Sequence, residues 1–403
     1  MNFKQKGKII SYILKLSVLA FTVLPGANRV VLFYIISHVT TTEYFAFFSS
    51  AYSYAIVMSM IGGVGVGTVI IKYGSEFGIV NYIKIASIAI ILSSIAGGII
   101  IFSFWEVTRL GIIGLLLMSI GLTMNQIIRY MIIVKKNFLI GAINEVIFIL
   151  PPFVFLFIKD INIIILLGSL YIIQSLLTAF FCFVDNGKTI KLREAFIIGH
   201  SNLVSSGILY FLPIASLSLV GPVITKAVSL MITTAGIITV FPRAMLNMKI
   251  VDIQSLYNND RGEFLKESAR FKNRVACIML LGVIIMIAYG CLTNRTSSIV
   301  DIIYIGLSLS LFIFMGQYTI LETTLINLVG KENISLILNS LSFIFFVGVY
   351  YILKIIDLKN TTLTMFLLCS IVFISYSIRY YIINKVLNEV EKCLLNNKYR
   401  TTK

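Results

Sequence analysis

Residues Ile9 to Ser37 read IISYILKLSVLAFTVLPGANRVVLFYIIS, an apolar run interrupted by only two charges, Lys15 and Arg29. At 1.5 Å per residue such a run exceeds the ~30 Å hydrocarbon core of a bilayer. Soluble helices alternate polar and apolar faces with a period of 3.6, and this stretch has no polar face of that kind. It therefore predicts a membrane-spanning helix. Lys4, Lys6 and Lys8 precede it, as in a signal peptide, yet no short apolar segment ends at a small-residue cleavage site. The segment reads as a retained first span.

The same pattern recurs along the chain. Of 403 residues 58% are apolar and only 12% charged, with a mean hydropathy of +0.97. A soluble domain carries about 25% charged residues, so a soluble fold is excluded. Apolar runs predict about twelve spans. The first six are residues 9–37, 44–71, 81–104, 110–134, 138–158 and 163–184; the second six are 195–219, 223–241, 275–292, 299–329, 334–353 and 363–378. The fold class expected is an all-α integral membrane protein in two six-helix lobes. An N-terminal lobe of residues 1–184 and a C-terminal lobe of 195–383 flank a cytoplasmic linker, 185–194, and a basic cytoplasmic tail, 384–403, follows.

Short cytoplasmic loops retain Lys and Arg. With both termini inside, 25 of the 33 basic residues fall on the cytoplasmic side, two lie within span 1, and six fall outside, namely Arg109, Lys159, Lys226, Arg295, Lys354 and Lys359. The net charge of +16 is thus spread over many short segments as a topology signal, not gathered into a nucleic-acid surface. The longest hydrophilic segment, Arg243 to Arg274, holds a turn signal at Asn258 to Gly262. After it, Glu263, Lys266, Glu267 and Arg270 recur at helical spacing beside Phe264, Leu265 and Phe271, which predicts an amphipathic helix on the membrane surface that serves as a solvated connector.

Ionisable groups inside a span cost about 2.5–3.5 kcal/mol on insertion scales, so they face a polar interior or each other. Arg29 is the deepest. It follows Pro25 by one turn, and Pro25, with Gly26 beside it, leaves the Phe21 carbonyl without its helical donor and marks a hinge. Arg29 either lines a cavity or snorkels to an interface or carboxylate, and its depth favours the cavity. Lys15 either snorkels to the inner interface or lines the same cavity. Glu145, Glu322 and Arg129 are candidates for interhelical ion pairs or for coupling to an ion. Pro213 sits in span 7 at a depth similar to Pro25 in span 1, a second hinge candidate and a trace of parallel duplication.

Other chemistries lack support in the residues. The run Gly62-Gly63-Val64-Gly65-Val66-Gly67 sits inside an apolar span with no strand–helix context, so close helix packing explains it better than a nucleotide loop. His38 and His200 are isolated, the five cysteines form no CxxC pair, and no metal or cofactor site is expected. No nucleophile elbow, Walker loop or polar carboxylate pair is visible, so an enzyme is not expected.

Three stretches carry a family resemblance: Asn28-Arg29-Val30-Val31-Leu32-Phe33, Thr42-Glu43-Tyr44-Phe45-Ala46-Phe47-Phe48 and Ile61-Gly62-Gly63-Val64-Gly65. With the length and the two sets of six spans, the chain resembles the polysaccharide-exporter branch of the multidrug/oligosaccharidyl-lipid/polysaccharide (MOP) superfamily, in particular Wzx-type O-antigen flippases. It departs from them at Ile224-Thr225-Lys226-Ala227, where an acidic or glycine-bearing entry is common. The resemblance implies two lobes in a V around a cationic cavity, a bacterial inner-membrane location, and translocation of an undecaprenyl-pyrophosphate-linked oligosaccharide by alternating access. The partners implied are that lipid-linked anionic oligosaccharide, membrane lipid, a coupling ion (H+ or Na+) and glycan-assembly proteins, with Arg29 as the substrate contact. The competing readings are an ion-coupled multidrug or cation antiporter of the same superfamily and a polytopic polysaccharide polymerase.

Overall fold

The computed structural model describes residues 3–73, 79–103, 112–157, 162–182, 192–294, 298–329 and 331–401. No strand occurs among them. The apolar runs become helices: α1 (Phe3–Val39), α2 (Thr42–Ser59), α3 (Gly65–Tyr73), α4 (Ile79–Ser103), α5 (Ile112–Lys135), α6 (Phe138–Ile147), α7 (Pro151–Val154), α8 (Ile163–Cys182), α9 (Leu192–Ile238), α10 (Val240–Asn259), α11 (Arg261–Thr293), α12 (Ile299–Tyr318), α13 (Ile320–Leu328), α14 (Glu332–Ile356) and α15 (Thr361–Thr401). Among the described residues nine helices are long and apolar enough to cross a membrane, and Asn81–Ile91 and Phe138–Val154 are shorter apolar helices. One of the nine, Gly207–Arg243, covers two of the spans expected from sequence. It is broken inside α9 at Gly221, whose φ of 79° is open to glycine and strained for other residues. Pro222 follows at the first position of the new helix, where its missing N–H costs nothing.

Two compact units divide the chain, residues 1–233 and 234–403. The sequence placed the division at 185–194, of which 185–191 lie outside the described residues. Residues 195–233 pack within the first unit, where short polar side chains let helices approach: Ser229 Oγ donates to Ser49 Oγ at 2.8 Å and Ser50 Oγ to the Pro213 carbonyl at 3.1 Å. The glycine run does what close packing requires. Residues Met60–Val64 form one π-helical turn between α2 and α3. A Cβ on Gly62 would lie 2.1 Å from the Ala89 carbonyl oxygen, one on Gly65 2.2 Å from that of Ala195, and one on Gly67 2.0 Å from the Tyr130 ring.

In the second unit α11, α12, α14 and α15 pack together, and one element differs from expectation. The hydrophilic segment is not a separate surface helix. α10 runs on to Asn259, Asp260 turns the chain and accepts from the Glu263 N–H at 3.1 Å, and α11 continues unbroken from Arg261 into the apolar run. No Gly–Pro signal stops it between Phe271 and Thr293, and its charged first turns hold themselves by pairs at i,i+3, Lys266–Glu263 at 2.9 Å and Arg270–Glu267 at 3.4 Å. The basic tail likewise belongs to a helix. α15 has 41 residues, about twice the length a span needs, and the buried Tyr257 hydroxyl of α10 donates to the Leu387 carbonyl at 2.7 Å.

Candidate functional site

Pro25 lies inside α1, which continues through it, and the carbonyl it strands, that of Phe21, finds a donor elsewhere. Arg129 of α5 reaches it with Nη2 at 3.4 Å while its guanidinium lies 5.2 Å from the Phe21 ring centroid. Arg129 also faces Glu145 of α6, Nε to Oε1 at 3.1 Å, a contact of opposite charges whose angle makes no hydrogen bond. Glu145 is 2% exposed and accepts from Asn28 Nδ2 at both its carbonyl (2.8 Å) and Oε2 (3.4 Å). Beside it, Asn144 is tied to α8, accepting from Gln174 Nε2 at 2.8 Å and from Thr178 Oγ1 at 2.6 Å. Three sequence candidates, Pro25, Arg129 and Glu145, thus meet in one network that joins α1, α5, α6 and α8.

Arg29 is one turn further along α1 and takes no part in that network. It is 8% exposed, and no carboxylate pairs with it among the described residues. Its guanidinium carbon lies 5.2 Å from the Phe33 ring centroid, 5.6 Å from that of Tyr52 and 4.9 Å from that of Tyr210. Nε and Nη2 are buried without hydrogen-bond partners. Aromatic faces attract a cation by about 0.5–2 kcal/mol each but accept no directed N–H bonds in the plane of the fork. The result is a guanidinium held in place with its donors unspent. Tyr52 lies within electrostatic reach of both Arg29 and Glu145, so the two clusters adjoin.

The remaining candidates are placed separately. Glu322 of α13 is 4% exposed and pairs with Lys272 of α11, which also donates to the Tyr380 hydroxyl at 2.9 Å. Lys15 belongs to α1, but its side chain lies outside the described residues. Gly26 is in the body of α1, and Pro213 in that of α9, where its carbonyl accepts from Ser50 and Ser216; the residue of α9 whose backbone leaves the helix is Gly221. Among the described residues no group of His, Cys, Asp or Glu has the arrangement of a metal site.

Three basic residues that the sequence assigns to loops or loop edges sit in packed surroundings instead. Lys226 is 9% exposed, donates to the Ser37 carbonyl at 3.2 Å and lies 5.9 Å from the Phe45 ring centroid. Lys272 and Arg379 count by sequence as cytoplasmic topology charges, yet Lys272 pairs with Glu322 and Arg379 lies over the Tyr376 ring. A basic residue at a helix end carries the same sequence signal whether it faces water or an interior. The apolar residues around it, Ile224, Ala227 and Val228, are the hint for Lys226.

No family model matches the chain, and no curated protein matches it. Solved structures do. An inward-facing structure of a multidrug resistance MATE family transporter of the MOP superfamily aligns over 93% of this chain and 99% of its own, at 14% identity and a TM-score of 0.63. An outward-facing structure of a multidrug resistance MATE family transporter of that superfamily covers 94% and 95%, at 13% identity and a TM-score of 0.54. A MOP superfamily transporter from Pyrococcus furiosus Vc1 (DSM3638), described as having a binding pocket of reverse polarity that suggests a different function, covers 95% and 96%, at 15% identity and a TM-score of 0.53. The chain has the multi-pass helical fold of MOP-superfamily transporters over nearly its whole length.

Proposed function

We propose that this protein is a flippase that carries a phosphate-bearing, lipid-linked oligosaccharide from the cytoplasmic to the outer leaflet of a bacterial inner membrane by alternating access. The observation that carries the reading is Arg29, a buried guanidinium with no carboxylate beside it among the described residues and two unspent donor atoms. A planar fork of this kind suits bidentate contact with a phosphate, and a sugar-pyrophosphate headgroup is too polar to cross hydrocarbon without such a partner. Twelve spans with both termini cytoplasmic, and two lobes that rock about a cationic cavity, complete the proposal. Coupling to H+ or Na+ would act through Glu145 or Glu322, the two buried carboxylates among the described residues. The protein supplies binding and movement and performs no bond chemistry.

The solved MATE transporters favour a second reading, an antiporter of cationic drugs on the same fold. A cationic substrate calls for a carboxylate free to meet it, whereas Glu145 and Glu322 are each in contact with a basic side chain. For the Pyrococcus protein of this fold, a binding pocket of reverse polarity is described as suggesting a different function, so the fold alone does not favour the drug antiporter.

The test is surface-glycan display in cells that depend on this protein. Arg29→Ala and Arg29→Gln should lower export by about tenfold or more at normal protein levels, the loss of one charge-assisted contact. Arg29→Lys should keep part of it, since the charge stays and the fork is lost. Normal export by Arg29→Ala at normal abundance would remove the basis of the proposal.

A further inference from the structure

We propose that the second unit holds a separate binding site for a phosphate-bearing ligand, formed by Arg379, Arg243 and Lys272 around Tyr376 and Tyr380. Arg379 of α15 is 6% exposed and has no carboxylate partner among the described residues. Its Nη1 donates to Asn339 Oδ1 of α14 at 2.6 Å, and its guanidinium lies 4.4 Å from the Tyr376 ring centroid. An amide oxygen and a ring face orient a guanidinium without neutralising it, and its Nε is buried with no partner at all.

One turn of α15 brings the other parts together. Tyr376 and Tyr380 stand at i and i+4, on one face of the helix. Lys272 donates to the Tyr380 hydroxyl at 2.9 Å and lies 5.1 Å from that ring's centroid and 5.6 Å from that of Tyr318. Arg243 of α10 is exposed and, like Arg379, acts electrostatically on the Tyr376 hydroxyl. Across the site, Gly316 lets α12 approach Tyr376, since a Cβ there would lie 3.3 Å from the ring. Among the contacts of the described residues, these three cations meet one carboxylate, Glu322, which pairs with Lys272 and leaves its own Oε2 without a partner.

An excess of two positive charges, one exposed and one buried with a free donor, favours an anion with several acceptor oxygens over a single carboxylate. The charged hairpin of α10 and α11 is held to the same helix, α15, through Tyr257 and Leu387, about two turns beyond Tyr380. A membrane-surface position would open the site to a lipid phosphate headgroup or to soluble phosphate. A purely structural Arg379 would be a clasp between α14 and α15, and a neutral donor would replace it.

Binding to the full-length protein, purified in uncharged detergent, separates these roles. Titrations use inorganic pyrophosphate, short-chain phosphatidic acid and, as a zwitterionic control, short-chain phosphatidylcholine, each in the wild type and in an Arg29→Ala background. Phosphatidic acid, pyrophosphate or both should bind in preference to phosphatidylcholine in both backgrounds, which keeps this site apart from Arg29. Binding of phosphatidic acid alone assigns a lipid headgroup, and binding of pyrophosphate assigns soluble phosphate as a competent ligand. Arg379→Gln and Arg243→Gln should each weaken binding by about tenfold or more, and Arg379→Lys should retain part of it. Should Arg379→Gln fail to fold, the exposed Arg243→Gln decides. Wild-type affinity in a folded Arg379→Gln or Arg243→Gln protein, or no preference over phosphatidylcholine, would overturn the proposal.

Discussion

Arg129 answers two unmet needs at once, the carbonyl that Pro25 strands and the buried charge of Glu145. Removing one partner of such a pair leaves an uncompensated charge in a low-dielectric interior, typically about 3–5 kcal/mol, whereas replacing both with apolar side chains is far cheaper. Glu145→Leu should therefore lower the thermal stability of the purified protein sharply, and adding Arg129→Met should restore most of the loss. Restoration should be incomplete, because the Phe21 carbonyl again lacks its donor. Additive losses in this double-mutant cycle would show that the two side chains do not act together. Arg29, Pro25, Glu145 and Glu322 were legible in the sequence because a charge or a proline inside an apolar run is costly wherever it points. Their partners were not, since Phe21 and Arg129 are 108 residues apart and nothing local ties them. Lys226, Lys272 and Arg379 were read as topology signals for the same reason: hydropathy registers where a residue stands along the chain and not what faces it.

Helices were the most legible part, because each needs only a run of apolar residues. Their interruptions depended on cause. Gly221-Pro222 announces itself by residue type, and the break falls there. The junction between α12 and α13 at Thr319 carries no such signal, and the π-turn at Met60–Val64 holds Gly62 and Gly63, which read equally well as packing residues. The glycine run could be read as a packing surface, and its members are now distinguishable. A methyl group on Gly65 meets backbone atoms on two sides, the Ala195 carbonyl oxygen at 2.2 Å and the Gly199 Cα at 2.9 Å, which cannot rotate away. Gly65→Ala should cost about 1–3 kcal/mol by overpacking. Gly348→Ala, with nothing within 4 Å of its added methyl, should be neutral or slightly stabilising because it lies inside α14. Equal melting temperatures for the two variants would contradict this account of the α3–α9 contact.

At the scale of the whole molecule, composition alone excluded a soluble fold, and the multi-pass fold of MOP-superfamily transporters agrees with the expected class. For the proposed transporter, the sign of the substrate's charge is the question on which function turns. Among the described residues both buried carboxylates are engaged by basic side chains, while Arg29 and Arg379 are buried without a carboxylate partner. That imbalance is the physical ground for an anionic substrate, and it is measured most directly in vesicles of purified protein. A lipid-linked oligosaccharide is supplied in one leaflet, and its arrival in the other is followed by cleavage with an added glycosidase that cannot cross the bilayer. The wild-type protein should transfer the lipid faster than protein-free vesicles and Arg29→Ala vesicles. Transfer no faster than in protein-free vesicles, with uptake of a cationic dye by the same preparation, would contradict the account and assign the protein to the drug antiporters.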